Sequence, residues 1–430
     1  MKRTFVILAT VLFLGILVTG FAAAADLDWG VTLDNAVSPR VSPMLDQPEW
    51  EEEFVAAVWA QVLQRSTDGG FWDLTVQGSY TYSLERPYIF DVDLLHFTLL
   101  FPRSSSVLEL TAGRFVFQDA TGLILNHAAD GLLFGFLFPK VQIHLGAAYT
   151  GLLLSPSSDI RVSADDLLEV DDGSTFFGPS RVLVQSSFNF PAGRRYQMLT
   201  LQALAQFDLR SDADEQIHTQ YLGLATSRRL NPTLYLDSHF TLSSGQSAVA
   251  AKDTFLLSFL YGFGFRYFNE NLVSSRAHLK IQYGSGFLPL VLVPGWEALS
   301  LEEFRPINQP IAGLVFSPGL GNLMYADFLY TFRPWFRHPN QSLANIQPGL
   351  GIRTYFRSTL SEIGLQYEDT SSKGMYLGTE IEASLVARVF SDLGLSLKMG
   401  LFLPGTGGFG VFTSERKTEF LAKVELSTSL

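Results

Sequence analysis

Leu393-Gly394-Leu395-Ser396-Leu397-Lys398-Met399-Gly400-Leu401-Phe402-Leu403 alternates without a break. Every second residue is large and apolar, and those between, Phe402 apart, are small or polar. A period of two is a β-strand with one apolar and one polar face. The segment before it behaves alike. Thr379, Ile381, Ala383, Leu385, Ala387 and Val389 share one face, and Glu380, Glu382, Ser384 and Arg388 the other. A three-residue turn, Phe390-Ser391-Asp392, pairs Val389 with Leu393, Leu385 with Leu397 and Ile381 with Leu401. All apolar residues then fall on one face of the hairpin. A two-residue turn would pair Phe390 with Leu393 and put them on opposite faces. The last segment repeats the pattern, with Phe420, Ala422, Val424 and Leu426 against Glu419, Lys423, Glu425 and Ser427.

In a soluble sandwich such a face meets a second sheet. In an outer-membrane barrel it meets lipid, and the polar face lines the lumen. The other end of the chain decides between them. Lys2 and Arg3 precede an apolar run from Phe5 to Val18, then small residues Ala22 to Ala25, then Asp26. This is an n-region, an h-region and a small-residue cleavage site, so residues 1–25 read as a cleaved export signal and 26–430 as the mature chain. No other run approaches the roughly 20 apolar residues a membrane helix needs. With no cysteine, a lipid-anchored cysteine and a disulfide scaffold are both excluded.

Hydrophobic residues make up 47% of the chain and charged residues 17%, an apolar balance for an exported protein. Loss of Lys2 and Arg3 with the leader takes the net charge from −12 to −14, which excludes nucleic acid as a partner. Strand signals run throughout. Asp28 to Leu33 is a weak first strand, Asn35 to Trp50 a proline-bearing loop, and Glu53 to Gln64 a strand without clean alternation. Phe71 to Ser83 alternates most clearly, with Trp72, Leu74, Val76, Tyr80 and Tyr82 against Asp73, Thr75, Gln77, Ser79 and Thr81. Short turns at Pro139-Lys140, Pro191 to Arg194, Leu230 to Pro232, Asn269 to Asn271 and Ser391-Asp392 alternate with longer connections. Up-and-down barrels keep this parity, short turns on the periplasmic side and long loops outside. Pro334 to Ile346 is the exception, a long turn on the short side. The expected fold is all-β: a single closed antiparallel transmembrane barrel of about 18 strands, within 16–18.

Three patches carry a family resemblance. Leu377-Gly378-Thr379-Glu380, then Phe390 to Leu395 and Phe402-Leu403-Pro404-Gly405, resemble the end of porin-like barrels of the alginate-export type. Asn322-Leu323-Met324-Tyr325 leading to Phe332-Arg333-Pro334 is similar to the same group. Gly113-Arg114-Phe115 followed by Asp130-Gly131 resembles general porins. The resemblance implies an eighteen-strand outer-membrane barrel that passes hydrophilic solutes. Exporters of a polyanion are expected to line the pore with basic residues, whereas here the inner face is mixed. The chain also ends in Leu430 rather than the phenylalanine common in such barrels, so the resemblance does not name the solute.

A pore works through lumen side chains and inward-folded loops. Alternation assigns Asp73, Gln77, Glu109, His278, Lys280, Gln282, Arg353, Arg357, Glu380, Glu382 and Lys398 to the lumen. Both signs are present, which implies weak charge selectivity. Lys398 is placed opposite Ser384 and diagonal to Glu382, within ion-pair reach. The connection Ser285 to Gly321 is the constriction candidate, because Phe287 to Pro294, Trp296 and Phe304 are too apolar for a free loop. Its Glu302, Glu303 and Arg305 are candidates to act on passing ions, and the alternative is a loop folded over the barrel mouth. Gln118 to Ala129 is a second inward-loop candidate. Asp165, Asp166, Glu169, Asp171 and Asp172 form an acidic cluster between Ser155 and Pro179, in a spacing that matches no defined calcium loop. The seven histidines lack metal-ligand spacing, no Ser–His pair marks a hydrolase, and no cofactor is implied.

The expected function is a passive channel. A hydrophobic-substrate, fatty-acid-type transporter with Asp26 to Trp50 as plug is the second reading, and a non-transporting surface barrel or adhesin the third. The partners are outer-membrane lipid and small hydrophilic solutes, with a homo-oligomer left open. N-terminal sequencing of the protein from outer membranes should begin near Asp26, and an intact Met1 would contradict cleavage.

Overall fold

The computed structural model describes residues 25–42, 48–84, 86, 88–163, 166, 175–192, 197–210, 216–249, 252–290, 299–308, 310 and 312–429. The expected signal peptide, Ala25 apart, lies outside the described residues. The strands are β1 (Asp26–Val41), β2 (Glu49–Arg65), β3 (Phe71–Ser83), β4 (Ile89–Pro102), β5 (Val107–Gln118), β6 (Asn126–Leu137), β7 (Gln142–Tyr149), β8 (Arg181–Ala192), β9 (Gln197–Asp208), β10 (Ile217–Arg229), β11 (Leu234–Val249), β12 (Lys252–Asn269) and β13 (Ser275–Gly284). There follow β14 (Leu288–Leu290), β15 (Leu299–Leu301), β16 (Leu323–Thr331), β17 (Gln347–Arg357), β18 (Tyr376–Arg388), β19 (Leu393–Pro404) and β20 (Glu419–Ser429). Eighteen of them form one antiparallel sheet, and β14 with β15 makes a separate hairpin. β1 pairs with both β2 and β20, so the sheet closes on itself.

The terminal hairpin has the register in which Leu385 faces Leu397 and Ile381 faces Leu401, with the Val389 amide bonded to the Leu393 carbonyl at 3.0 Å. Directly opposed residues share a face, so pairing can be followed around the wall. One row runs Leu279, Phe328, Ile352, Ile381, Leu401, Phe420 across six successive strands. All are apolar, and Ile352 and Ile381 are 46% and 45% exposed. The row shifted by one residue runs Lys280, Asp327, Arg353, Glu380, Phe402, Glu419. Glu380 in that row is fully buried. The apolar face is therefore outside and the charged face inside. An exposed apolar band of this extent is what a lipid-facing wall requires. Trp72 and Leu74 lie on the same outer parity through Gln64 and Val62 of β2 and Leu99 and Phe97 of β4.

The wall departs from the sequence reading at two places. The expected loop from Asn35 is strand as far as Val41, through Pro39. Proline has no N–H to give a ladder, and the β1–β20 pairing passes over Ser38 and Pro39 before resuming at Arg40. Asn126 to Ala129, read as loop, belongs to β6, because His127 and Ala129 pair with Phe117 and Phe115. Leu397→Arg places a charge on the lipid side and should cost about 2–4 kcal/mol of folding stability in lipid vesicles at mid-membrane depth. An unchanged stability would mean that this face does not meet lipid.

Candidate functional site: an inward loop held by the inner wall

The inner row alternates in sign from Lys280 through Asp327 and Arg353 to Glu380. Arg353 bonds Asp327 and Glu382, both at 3.1 Å. On the neighbouring arc Arg266 bonds Asp237 at 2.7 Å. The wall thus neutralises most of its own charge, as expected where low-dielectric walls make unpaired charge costly. Lys280 has no carboxylate within ion-pair distance among the described residues, and its ammonium lies 5.7 Å from the Tyr325 ring. With Arg266, His239 and His278 it lines a lumen space of about 460 Å³ beside Thr121 and Leu123.

The connection between β13 and β16 crosses the barrel. Near its start the Phe304 amide bonds the Ser285 carbonyl at 3.0 Å. Farther on, the Ile307 and Asn308 amides bond the Ile124 carbonyl at 2.9 and 3.2 Å, on the β5–β6 side. It then returns to β17–β19. The amides of Leu314 and Val315 donate to Glu380 Oε1 at 2.8 and 2.7 Å, and that of Phe316 to Oε2 at 3.2 Å. The Tyr355 hydroxyl lies 3.0 Å from both Glu380 Oε2 and the Phe316 carbonyl. A buried carboxylate that accepts several N–H bonds offsets its desolvation. The approach is close enough that a Cβ at Gly313 would strike Tyr355 Oη and Glu380 Oε2. Phe316 stacks on Phe402 at 4.3 Å, and the Arg416 guanidinium sits 5.1 Å over it. Phe304, Ile307, Leu125 and Ile160 complete an apolar core inside the long-loop end of the barrel.

Several expectations are corrected here. Glu380 does not face open lumen; it clasps the loop. Arg357 is also buried, pinned by the carbonyls of Gly374 at 2.7 Å and Ser372 at 2.5 Å with Glu368 at 3.7 Å, so it holds the β17–β18 connection. Lys398 does sit opposite Ser384, but its partner is Glu425 at 2.8 Å, because Arg353 already occupies Glu382. Lys423 shares Glu425 at 2.9 Å. Asp73 accepts from Gln61 and Thr75, Gln77 donates to Asp93 at 3.0 Å, and Gln282 donates to the Tyr261 carbonyl at 3.1 Å. Glu109 and His278 lie on inner-face positions of β5 and β13.

Within the loop, the part that crosses is Phe304 to Phe316, not the apolar run. Leu288 to Leu290 instead pairs with Leu299 to Leu301, and Phe287 and Leu288 stay exposed. Val291 to Val293 and Trp296 lie outside the described residues. Arg305 is exposed, and its carbonyl accepts from the Tyr221 hydroxyl at 2.7 Å. Glu302 and Glu303 are partly buried. Burial pushes the Glu303 carboxyl above the ordinary carboxylate range, against the opposing pull of Arg305.

The second inward loop is shorter than expected, Asp119 to Leu125. Asp119 organises it by accepting from the amides of Thr121, Ile124 and Leu125 at 2.8, 2.9 and 2.9 Å. The acidic-cluster residue Asp166 is fully buried between Arg181 at 2.8 Å and Arg210 at 3.3 Å, with Asp208 as second acid. Its oxygens accept from Arg181 and from the Val162 and Ser163 amides at 2.7 and 2.8 Å; Asp165, Glu169, Asp171 and Asp172 lie outside the described residues. Sequence reasoning missed Asp119, Tyr355 and this network. Only Asp119 has a local cue, an aspartate opening a Thr-Gly turn.

No family model and no curated protein sequence matches the chain. Among solved structures it is similar to Pseudomonas aeruginosa OccK5 (OpdH), with a TM-score of 0.58 and 14% identity over 94% of this chain and 98% of that one. It is similar to P. aeruginosa OccK2 (OpdF) in complex with glucuronate, with a TM-score of 0.56 and 13% identity over 94% and 98%. A third is the P. aeruginosa outer membrane protein OpdK, at 0.52 and 12% over 94% and 99%. At these identities the likeness defines the fold alone: a closed eighteen-strand antiparallel barrel.

Hydrogen bonds to a charged group are worth about 1.5–3 kcal/mol each. Glu380→Ala removes those to Leu314, Val315 and Phe316 and should free the loop, raising single-channel conductance in planar bilayers. Deleting Leu288 to Leu301 should change conductance far less. Equal conductance in wild type and Glu380→Ala would mean that the loop does not set the channel's width.

Proposed function

We propose that the chain is a passive outer-membrane channel for small hydrophilic solutes, exported by a cleaved signal peptide. The long loops then face outward and the short turns the periplasm. One observation carries the reading: a wall apolar outside and polar inside, narrowed by a loop fastened to its inner face. Barrels of such fold include an outer membrane protein and one holding glucuronate, a small hydrophilic solute. The alginate-export side of the sequence resemblance rests on its sequence patches alone. We read the chain as a channel rather than an enzyme, since the inner side chains described pair with wall and loop.

The transporter reading loses its plug, because residues 26–41 are wall strand β1. The adhesin reading has less support, because Asp119 to Leu125 and Phe304 to Phe316 turn inward. Purified protein in planar bilayers should give open, stepwise conductance, and silence would contradict the proposal. Selectivity should depend weakly on charge at neutral pH. Because burial raises the Glu303 pKa, that carboxylate takes up its proton at higher pH than an ordinary glutamate. As pH falls toward the ordinary carboxylate range the reversal potential in a salt gradient should move toward anions, and less so in Glu303→Gln. An identical shift in both proteins would remove Glu303 from the ion path.

A further inference from the structure

The one long turn at the short-turn end, residues 332–346, has no part in the channel. The other described turns there, such as residues 103–106 and 230–233, span only a few residues. The long one is a built platform. The Phe332 amide bonds the Pro348 carbonyl at 3.1 Å, and the Arg333 amide bonds the Val273 carbonyl of the β12–β13 turn at 2.7 Å. Ser342 Oγ donates to the Val389 carbonyl of the β18–β19 turn at 2.7 Å. Asn340 caps a helical turn, Gln341–Ala344, by accepting from the Ser342 amide at 2.9 Å.

What this platform presents is unusual for this chain. Trp335 is 49% exposed, and Leu343, Leu272 and Phe390 add exposed apolar surface from the turn and its two neighbours. Arg337 is exposed beside Trp335, its guanidinium 4.9 Å from the Phe336 ring. Between Asp327 and Glu362 the sequence contains no acid, although the whole chain carries a net charge of −12. A rigid surface whose long turn is aromatic and basic, with exposed acids Glu270 and Asp392 only on the two neighbouring turns, matches the membrane–water interface at the rim of a lipid-facing wall. Tryptophan rings sit at headgroup depth there, and arginines pair with phosphate. A protein partner would give the basic charge a counterpart too, but would not account for its place beyond strand ends whose outer face carries exposed Leu350 and Ile352.

We infer that the turn Phe332 to Ile346 docks anionic phospholipid headgroups of the periplasmic leaflet. Trp335 is seated among the headgroups and Arg337 is set against their phosphates. This rests on the outer-membrane reading. Anionic lipid strengthens the contact and salt weakens it.

The chain has no cysteine, so Trp335→Cys carries a single environment-sensitive fluorophore. The labelled protein is folded into phosphatidylcholine vesicles, with and without phosphatidylglycerol. Quenching by a headgroup-linked nitroxide should rise severalfold with phosphatidylglycerol, fall with added salt, and be lost in Trp335→Cys/Arg337→Gln. Quenching by aqueous iodide in both lipids, or indifference to phosphatidylglycerol, overturns the proposal. So does a response to soluble polyglutamate that exceeds the response to lipid, which would indicate an acidic protein partner. Conductance of the same preparations is recorded in parallel. Normal conductance with a water-exposed probe sinks only the lipid site, whereas absent conductance in folded protein sinks the channel reading.

Discussion

A sheet that crosses hydrocarbon cannot keep an edge, because unpaired N–H and C=O groups have no water to bond. Here the edge is removed by β1 joining β20, from Thr32↔Ser429 to Val41↔Phe420. Near its long-loop end the seam is reinforced by Arg40, which bonds Glu419 at 2.7 Å, while Arg416 bonds the same carboxylate at 2.8 Å. Arg416 also covers Phe316 and Phe412. Closure of the wall and seating of the inward loop therefore share one buried carboxylate. A change at Glu419 acts on both.

Closure fixes the two faces, and the inner face then has to manage its charges. The row from Lys280 to Glu380 alternates in sign, so each side chain has an opposite neighbour one strand away. Arg353 between Asp327 and Glu382 is the centre of that arrangement. Self-neutralised walls focus little field on a passing ion. On the channel reading, width then matters more than net wall charge, and within that row Lys280 is the cation without an ion pair.

The strands were largely legible because alternation is local and the register of each hairpin follows from it. Leu385 opposite Leu397 is decided by residues within one turn of each other. β1 was legible only in part, since Pro39 reads as a breaker unless one knows that the partner ladder skips it. Alternation assigns residues to the inner face but does not give their roles. Glu380 and Glu382 have the same spacing and chemistry in the sequence. One clasps loop amides more than sixty residues away, and the other pairs with Arg353. Lys398 was given the wrong partner for the same reason: whether Glu382 is free depends on β17, which the β18–β19 hairpin does not contain.

The loop shows what apolarity alone leaves undecided. Phe287 to Pro294 is the most apolar stretch of the connection, yet Phe304 to Phe316 crosses the lumen. Burial of side chains favours covering either one, but a segment taken out of water must also satisfy its backbone. The described part of the apolar run, Leu288 to Leu290, does so by pairing with Leu299 to Leu301. The crossing segment has no such partner strand. Its amides find the Ser285 carbonyl at the start of the connection, the Ile124 carbonyl on the β5–β6 side and the Glu380 carboxylate on β18. Greasiness measures how much a segment gains by being covered. The position of unpaired acceptors determines where it is covered, and here two carbonyls and the Glu380 carboxylate on the inner wall supply them.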